Sequence, residues 1–408
     1  VTVLVELNEY QSDDRQLSNE DATELARVAG KRLGVTLGAR PGTYTITATS
    51  HVGAIVTPAI TVVIRPKVAS EHLFVMLGVA PPRDFDAAHS MSAEPELLSV
   101  MAALFAEALE DATARGVLHG YRSTEERLVA PRGRIDMNEQ LRQPAIISPI
   151  ACRYDDYTAD VFANRALVAA LDRLHRVPLL EPQLRVRLGR LAPRFEDVAH
   201  TNVDPSAIDR WRPNRLDQHY ERAMRIAALV LRNLSFSQRV GDHRNLSFTV
   251  NMNDLFQEYV TSRLRRHLRG HIEVIGEPAV PLTESSTHLR MEPDLVFRRP
   301  QGAVYVGDVK YKLSNERARI SDYYQLLAYT TAMDLPEGVL IYAQAPDGDP
   351  ELSSPQLVHT SRIRHTDKLV HVYRLPMEVP AAELEDGIEQ LATWIRGRAV
   401  PDARREAA

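Results

Sequence analysis

The spacing of apolar positions changes character twice along the chain. Through the first 70 residues it alternates with a period of two in short, β-branched runs at 1–7, 44–49, 54–56 and 60–65, divided by Gly and Pro. These predict short strands. One segment there has helical spacing: Leu25, Val28, Ala29 and Leu33 follow the acidic turn Asn19-Glu20-Asp21 and stop at Gly34. A polar stretch with prolines then occupies the region up to Pro95. After it, Leu97, Met101, Leu104, Phe105, Ala108 and Leu109 predict a helix over 96–114. Residues 121–135 read as extended and polar. Val161, Ala166, Leu167, Ala170, Leu171 and Leu174 predict a helix over 158–176, ended by Pro178. Helices over 184–191 and 218–234 complete an arginine-rich connector. From about Gly241 the pattern turns mixed, with a helix at 251–268, strands at 273–276, 289–298 and 304–312, and a helix at 320–333. Strands at 339–342 and 370–375 and a final helix at 381–395 follow. The predicted fold class is α+β and multidomain. A mainly β N-terminal region (1–150) leads through a helical connector (151–240) to an α/β C-terminal domain (241–398), with 399–408 expected to be a disordered tail.

The polar content of one predicted hairpin carries the chemistry. In 284–312, Asp294 follows Pro293 at the start of the Leu295-Val296-Phe297 run, and Asp308 stands two residues before Lys310 in the next strand. A period of two puts Asp308 and Lys310 on one face, and an apolar strand carries such a pair only if the charges are paired or bind something. Two carboxylates converging on a point suit a magnesium ion, and a neighbouring ammonium suits the charge that develops when a phosphodiester is hydrolysed. Only five of the 49 basic side chains are lysine, and two of the five, Lys310 and Lys312, lie here. Lysine and arginine are not interchangeable where a compact point charge is needed. The plainer alternative is a surface hairpin with an ordinary Asp–Lys cross-strand pair.

Pro293-Asp294 followed by Asp308-Val309-Lys310 resembles the PD-(D/E)XK nuclease signature. The flanking segments Met252-Asn253-Asp254-Leu255-Phe256, Asp322 to Tyr329, and His51-Val52-Gly53 with Arg65-Pro66-Lys67 narrow the resemblance. Together they resemble the McrC family, the nuclease subunit of McrBC-type modification-dependent (5-methylcytosine) restriction systems, over about residues 3–375. The resemblance implies a C-terminal restriction-endonuclease-like domain that cuts double-stranded DNA with Mg2+. It also implies an N-terminal region that binds and stimulates a McrB-like AAA+ GTPase ring, expected to be hexameric, which recognises the modified base. Asp294, Asp308, Lys310 and Gln325 are the expected catalytic residues, with Asp294 and Asp308 as metal ligands. The family places an acidic residue directly after the phenylalanine of the first nuclease helix. Here Gln257 stands there, and Glu258, about 100° further round the helix, is carried as a further metal candidate. Lys312, Arg263, Arg266 and Tyr324 are the DNA-contact candidates. Asn164 matches a family asparagine; on its own terms it reads as a helix-surface amide.

The net charge of −5 at neutral pH argues against strong unaided DNA binding. The single cysteine, Cys152, excludes a disulfide framework, and no apolar stretch reaches membrane-spanning length, so a cytoplasmic protein without membrane association is expected. No phosphate-cradling glycine motif, zinc spacing or serine-nucleophile elbow is present. Three readings remain open: a partner-dependent endonuclease subunit, a stand-alone repair nuclease with the same core, and a degenerate DNA-binding adaptor.

Overall fold

The computed structural model describes residues 3–68, 70–78, 96–142, 148–177, 180–238, 244–283, 288–311, 320–344, 355–377 and 379–399. The chain starts with β1 (Val3–Asn8), β2 (Ser12–Gln16), α1 (Asn19–Ala29), β3 (Leu33–Leu37), β4 (Thr43–Ala48), β5 (His51–Val56) and β6 (Ile60–Arg65). The Ser18 hydroxyl caps α1 by accepting from the Asp21 amide, and Gly30, at φ 57°, stops it earlier than the apolar spacing suggests. Strands β2, β4 and β3 form a small antiparallel sheet, while β1, β6 and β5 form one side of a second. Leu25, Ile46, Val5, Ile55 and Val62 bury a common core. β2 escapes a pattern reading because its sequence, Ser-Asp-Asp-Arg-Gln, holds no apolar residue to alternate.

Next come α2 (Ser70–Leu77) and α3 (Glu96–Ala112). The sequence reading runs a polar loop through 71–95; its first part is instead the helix α2, which buries Leu73, Phe74, Met76 and Leu77. β7 (Gly120–Leu128), β8 (Arg134–Ile135), α4 (Met137–Leu141) and β9 (Ile150–Thr158) build a three-stranded sheet in the order β7-β9-β8. Half of its side chains are exposed, including Tyr121 and Tyr157. It forms an arm. Asn164 secures the base of the arm, donating to the Leu118 and Ala159 carbonyls at 2.7 Å each. It is fully buried rather than a surface amide.

The helical body consists of α5 (Phe162–His175), α6 (Pro182–Leu191), α7 (Pro205–Arg210) and α8 (Glu221–Asn233), with α3 packed on α6 and α8. The chain then returns to the beginning. β10 (Leu234–Gln238) and β11 (Arg244–Asn251) complete the second N-terminal sheet, whose order is β1-β6-β5-β11-β10. Residues 244–251, which the sequence reading places at the head of the C-terminal domain, therefore pair with β5. A side chain at Gly53 (φ 127°) would bring its Cβ to 2.1 Å from the Phe248 carbonyl oxygen. Glycine is needed there for the close approach of two strands, not for a turn.

The remainder comprises α9 (Met252–His267), β12 (Glu273–Gly276), β13 (Val280–Pro281), β14 (Arg290–Met291), β15 (Leu295–Arg299), β16 (Gly302–Lys310), α10 (Ile320–Ala332), β17 (Glu337–Gln344), β18 (Gln356–Arg362), β19 (Leu369–Pro376) and α11 (Ala381–Arg398). One six-stranded sheet runs β12-β15-β16-β17-β19-β18. β16, β17 and β19 are parallel, and antiparallel strands flank them on both sides. Alternation along the strands divides the faces. Phe297, Tyr305 and Val309 join Phe256 of α9 and Leu391 of α11, while Val296, Val306 and Leu340 join Leu326 of α10. The whole is a mixed α/β, multidomain fold with several sheets. Among the described residues no helix is long and apolar enough to cross a membrane. Of the expected C-terminal tail, Ala399 is buried and 400–408 lie outside the described residues.

Candidate active site

The β15–β16 hairpin brings together the three residues on which the sequence reading rests. Asp294 precedes β15, and its Oδ2 accepts from the Val309 amide at 2.7 Å, which ties it across to the middle of Asp308-Val309-Lys310. Asp308 and Lys310 share the α10 face, as a period of two requires, with Lys310 Nζ 2.8 Å from Asp308 Oδ2. Asp308 is wholly buried, and no donor among the described residues reaches its Oδ1.

Such a carboxylate is costly. Burial, then the neighbouring Asp294, push its pKa up to about 7, and Lys310 only partly offsets them. Burial also raises Asp294, against the opposing pull of the Val309 amide and Lys310. For Lys310, burial disfavours the ammonium, but Asp308, Asp294 and Asp322 outweigh it and its pKa is raised. Two desolvated carboxyls, close enough to share a hydrogen bond when one of them is protonated, stand beside one ammonium and are short of positive charge. This donor set fits magnesium, which takes one or two carboxylates and fills its octahedron with water and phosphate oxygens. Among the described residues no third His, Cys, Asp or Glu stands close enough to make a dedicated cage.

The helix α10 closes the site from above. Gln325 Nε2 donates to the Tyr329 hydroxyl at 2.6 Å, and that hydroxyl donates to the Glu292 carbonyl at 3.3 Å. Burial raises the Tyr329 phenol, and both Asp308 and Asp294 contribute, so this ring borders the carboxylates. The Asp322 carboxylate accepts from Tyr342 of β17 at 2.6 Å. Helical spacing groups Tyr329 with Asp322 and Gln325 without giving it a role, and sequence reasoning does not single out Tyr342. Strand parity is the signal that finds Tyr342, because it is paired with Lys310 across the parallel β16–β17 ladder.

The other candidates are dispersed. Glu258 is exposed on the side of α9 that faces α7 and α8, in a cavity of about 980 Å³ with Arg225 and Arg263, and it is not gathered with Asp294 and Asp308. Arg263 pairs with Glu385 of α11 at 3.1 Å, and Arg266 lies 3.6 Å from the same carboxylate. Tyr324 is exposed on α10. Lys312 lies outside the described residues. Gln257 donates to Glu277 Oε1 at 2.9 Å, and the Glu277 amide donates to the Asp294 carbonyl at 3.3 Å. The position where an acid was expected thus touches an acid instead, one residue beyond β12.

The N-terminal sheet also reaches this centre. Glu9, buried just beyond β1, accepts from the Lys67 amide at 2.8 Å and from the Tyr311 hydroxyl at 3.1 Å. Tyr311 directly follows Lys310 and packs near Phe256 on the α9 side. Burial raises the Glu9 carboxyl to about 7, against both of these donors.

No curated protein matches the sequence. Among solved structures, the refined half-complex from a tetradecameric assembly of Thermococcus gammatolerans McrB AAA+ hexamers with bound McrC contains a chain of similar fold. It aligns over 96% of this chain and 100% of that chain, with a TM-score of 0.57 and 18% identity. A chain of the Thermococcus gammatolerans McrBC complex aligns over 66% of this chain and 89% of that one, at 19% identity and a TM-score of 0.42. The family model described as McrBC 5-methylcytosine restriction system component matches residues 46–343, from the small N-terminal sheet through β17, and with most of its length so matched this chain belongs to that family.

Proposed function

We propose that this chain is the McrC-type nuclease subunit of its restriction system, a Mg2+-dependent endonuclease of the PD-(D/E)XK class. The observation that carries the reading is the wholly buried Asp308 carboxylate, with an oxygen that no donor among the described residues reaches, placed beside Asp294 and Lys310 at the end of one hairpin. A lone structural ion pair needs no second buried carboxyl beside it. In this reading Asp294 and Asp308 hold the metal. When bound, magnesium neutralises charge on the scissile phosphate and favours the ionised form of the attacking water. Lys310 places its ammonium against the phosphate oxygens as negative charge builds on them. The Gln325–Tyr329 pair borders the carboxylates and orients water or phosphate from the α10 side.

We assign the partner role to the N-terminal region, with the exposed arm as its leading element. The partner is a McrB-like AAA+ GTPase ring that recognises the modified base in double-stranded DNA. What supports this reading is that a chain in the Thermococcus gammatolerans assembly of McrB AAA+ hexamers with bound McrC has a similar fold over nearly the whole of this chain. The division of labour is testable with Asp308→Ala and Lys310→Ala. Each should bind the ring and stimulate nucleotide hydrolysis as the wild type does, while cleavage falls by more than about 100-fold. Both activities are measured on one reconstituted complex. Normal cleavage by either variant would sink the site, and joint loss of cleavage and stimulation in a folded variant would sink the division.

A further inference from the structure

About half of the arginines described outside the C-terminal sheet are spent on carboxylates of the chain itself. Arg122 and Arg165 pair with Asp160, Arg187 with Glu110, Arg222 with Glu107, Arg225 with Glu221 and Arg232 with Asp209. The arginines of α9 chosen from sequence, Arg263 and Arg266, are likewise turned to Glu385. One cluster differs. Arg265, Arg269, His271, Arg298 and Arg299 line a cavity of about 700 Å³ along the β12 edge of the six-stranded sheet, with Glu273 as its one acidic side chain among the described residues. Arg269 and Arg298 are exposed and have no ion-pair partner among the described residues. Arg265 and Arg299 are held by Nε, which donates to the Val274 and Ala399 carbonyls at 2.9 and 3.1 Å and leaves their outer guanidinium nitrogens for a ligand. Basic residues after a helix often only complement its dipole. That accounts for Arg265 and Arg269, but not for Arg298 and Arg299, which come from a different element at the tip of the hairpin.

The position of the cluster matters as much as its charge. A side chain built on Gly276 would meet Arg265 Nη2 at 3.2 Å and the Asp294 backbone carbonyl at 3.8 Å, so the arginine track begins at the edge of the strand that Asp294 opens. It ends at Arg298, four residues along β15 from Asp294, or about 13 Å at the strand rise. That distance is about four base-pair steps of a duplex, at about 3.4 Å per phosphate on each strand. We propose that this track is a nucleic-acid backbone site, which holds the phosphates of duplex DNA flanking the scissile bond and sets the register of the strand over Asp294 and Asp308. The ligand is a run of phosphodiesters, without base readout, because arginines that touch only phosphate carry position and not sequence.

This inference rests on the nuclease reading, and the test separates the two. The full-length chain is titrated with a fluorescent duplex between about 50 and 200 mM salt. The variants are R269A/R298A, R263A/R266A and D308N, each checked for wild-type folding by circular dichroism. R269A/R298A should lose about tenfold or more in affinity at the lowest salt, and its log–log salt slope should fall by about two, near 0.9 for each phosphate that is no longer neutralised. R263A/R266A should keep the wild-type slope. An unchanged slope in R269A/R298A overturns the track, as does a wild-type chain that binds no duplex at the lowest salt. Cleavage is assayed alongside in the complex. If D308N cuts normally, the nuclease reading falls whatever the arginines do; if D308N is dead while R269A/R298A binds like the wild type, only the track falls.

Discussion

Asp308→Asn keeps the shape of the side chain and removes one of the two carboxyls that share the end of the hairpin. In the metal-free chain at pH 8 the wild-type group is ionised although burial and Asp294 both oppose it. A pKa near 7 in place of 3.8 sets about 4 kcal/mol against the charged form. Substitution relieves that cost. Lys310, 2.8 Å away, loses an anionic partner, but its attraction is already contained in the raised pKa. The expectation is a stabilisation of up to about 4 kcal/mol, or a few degrees in Tm. A carboxyl raised in the folded state contributes its stability below the unfolded pKa and loses it as pH rises through the folded value. The advantage of the variant should therefore be absent near pH 4, about half developed near pH 5.5, and nearly full from about pH 7 upward. Magnesium narrows the gap. At ten times its Kd it stabilises the wild type by about 1.4 kcal/mol, and it should leave the variant unmoved. Scanning calorimetry at two pH values, with and without the ion, measures all of this. A metal-free variant that melts well below the wild type at pH 8 would refute the electrostatic argument, and an equal magnesium shift in both proteins would refute the ligand assignment.

Glu9→Gln should flatten the pH dependence of stability between about pH 4.5 and 7. There the raised carboxyl makes the wild type lose up to about 3 kcal/mol as pH rises; denaturant titrations across that window check this, and parallel curves for the two proteins would contradict it. Asn164→Ala orphans the Leu118 and Ala159 carbonyls at the base of the arm and should cost about 2–4 kcal/mol. Urea unfolding measures the loss, and a change below about 1 kcal/mol would show that water replaces the amide.

The candidate cluster was legible because its geometry is local. Asp308 and Lys310 lie two residues apart, Asp294 begins the neighbouring strand, and a hairpin is a short-range structure whose alternation fixes which side chains meet. α10 was legible for the same reason, since its helical spacing places Gln325 next to Tyr329. What the pattern could not supply was pairing at a distance. Nothing in residues 244–251 says that they belong beside 51–56, because an apolar strand carries no address. The edge strand β18 escapes the pattern because it is mostly exposed, so its burial imposes no alternation. The arginines of α9 show a further limit. Arg263, Arg265, Arg266 and Arg269 look alike in sequence, yet two of them meet Glu385 of α11 and the other two line the β12 edge. The partner that distinguishes them is over 100 residues away.

The return of β10 and β11 to the first sheet has a consequence for synthesis. A ribosome delivers β1, β5 and β6 early, but β11 follows β5 only after about 190 further residues. At about 5–20 residues per second, that leaves one edge of β5 unpaired for about 10–40 s. An open edge is a template for pairing with other chains, so the nascent protein is most vulnerable to aggregation while its helical body is being made. The same interlock fixes where the gene can be cut. A C-terminal fragment beginning near Gly241 would carry off β11 and strip the N-terminal sheet, whereas division between Asn251 and Met252 leaves each sheet with all of its strands.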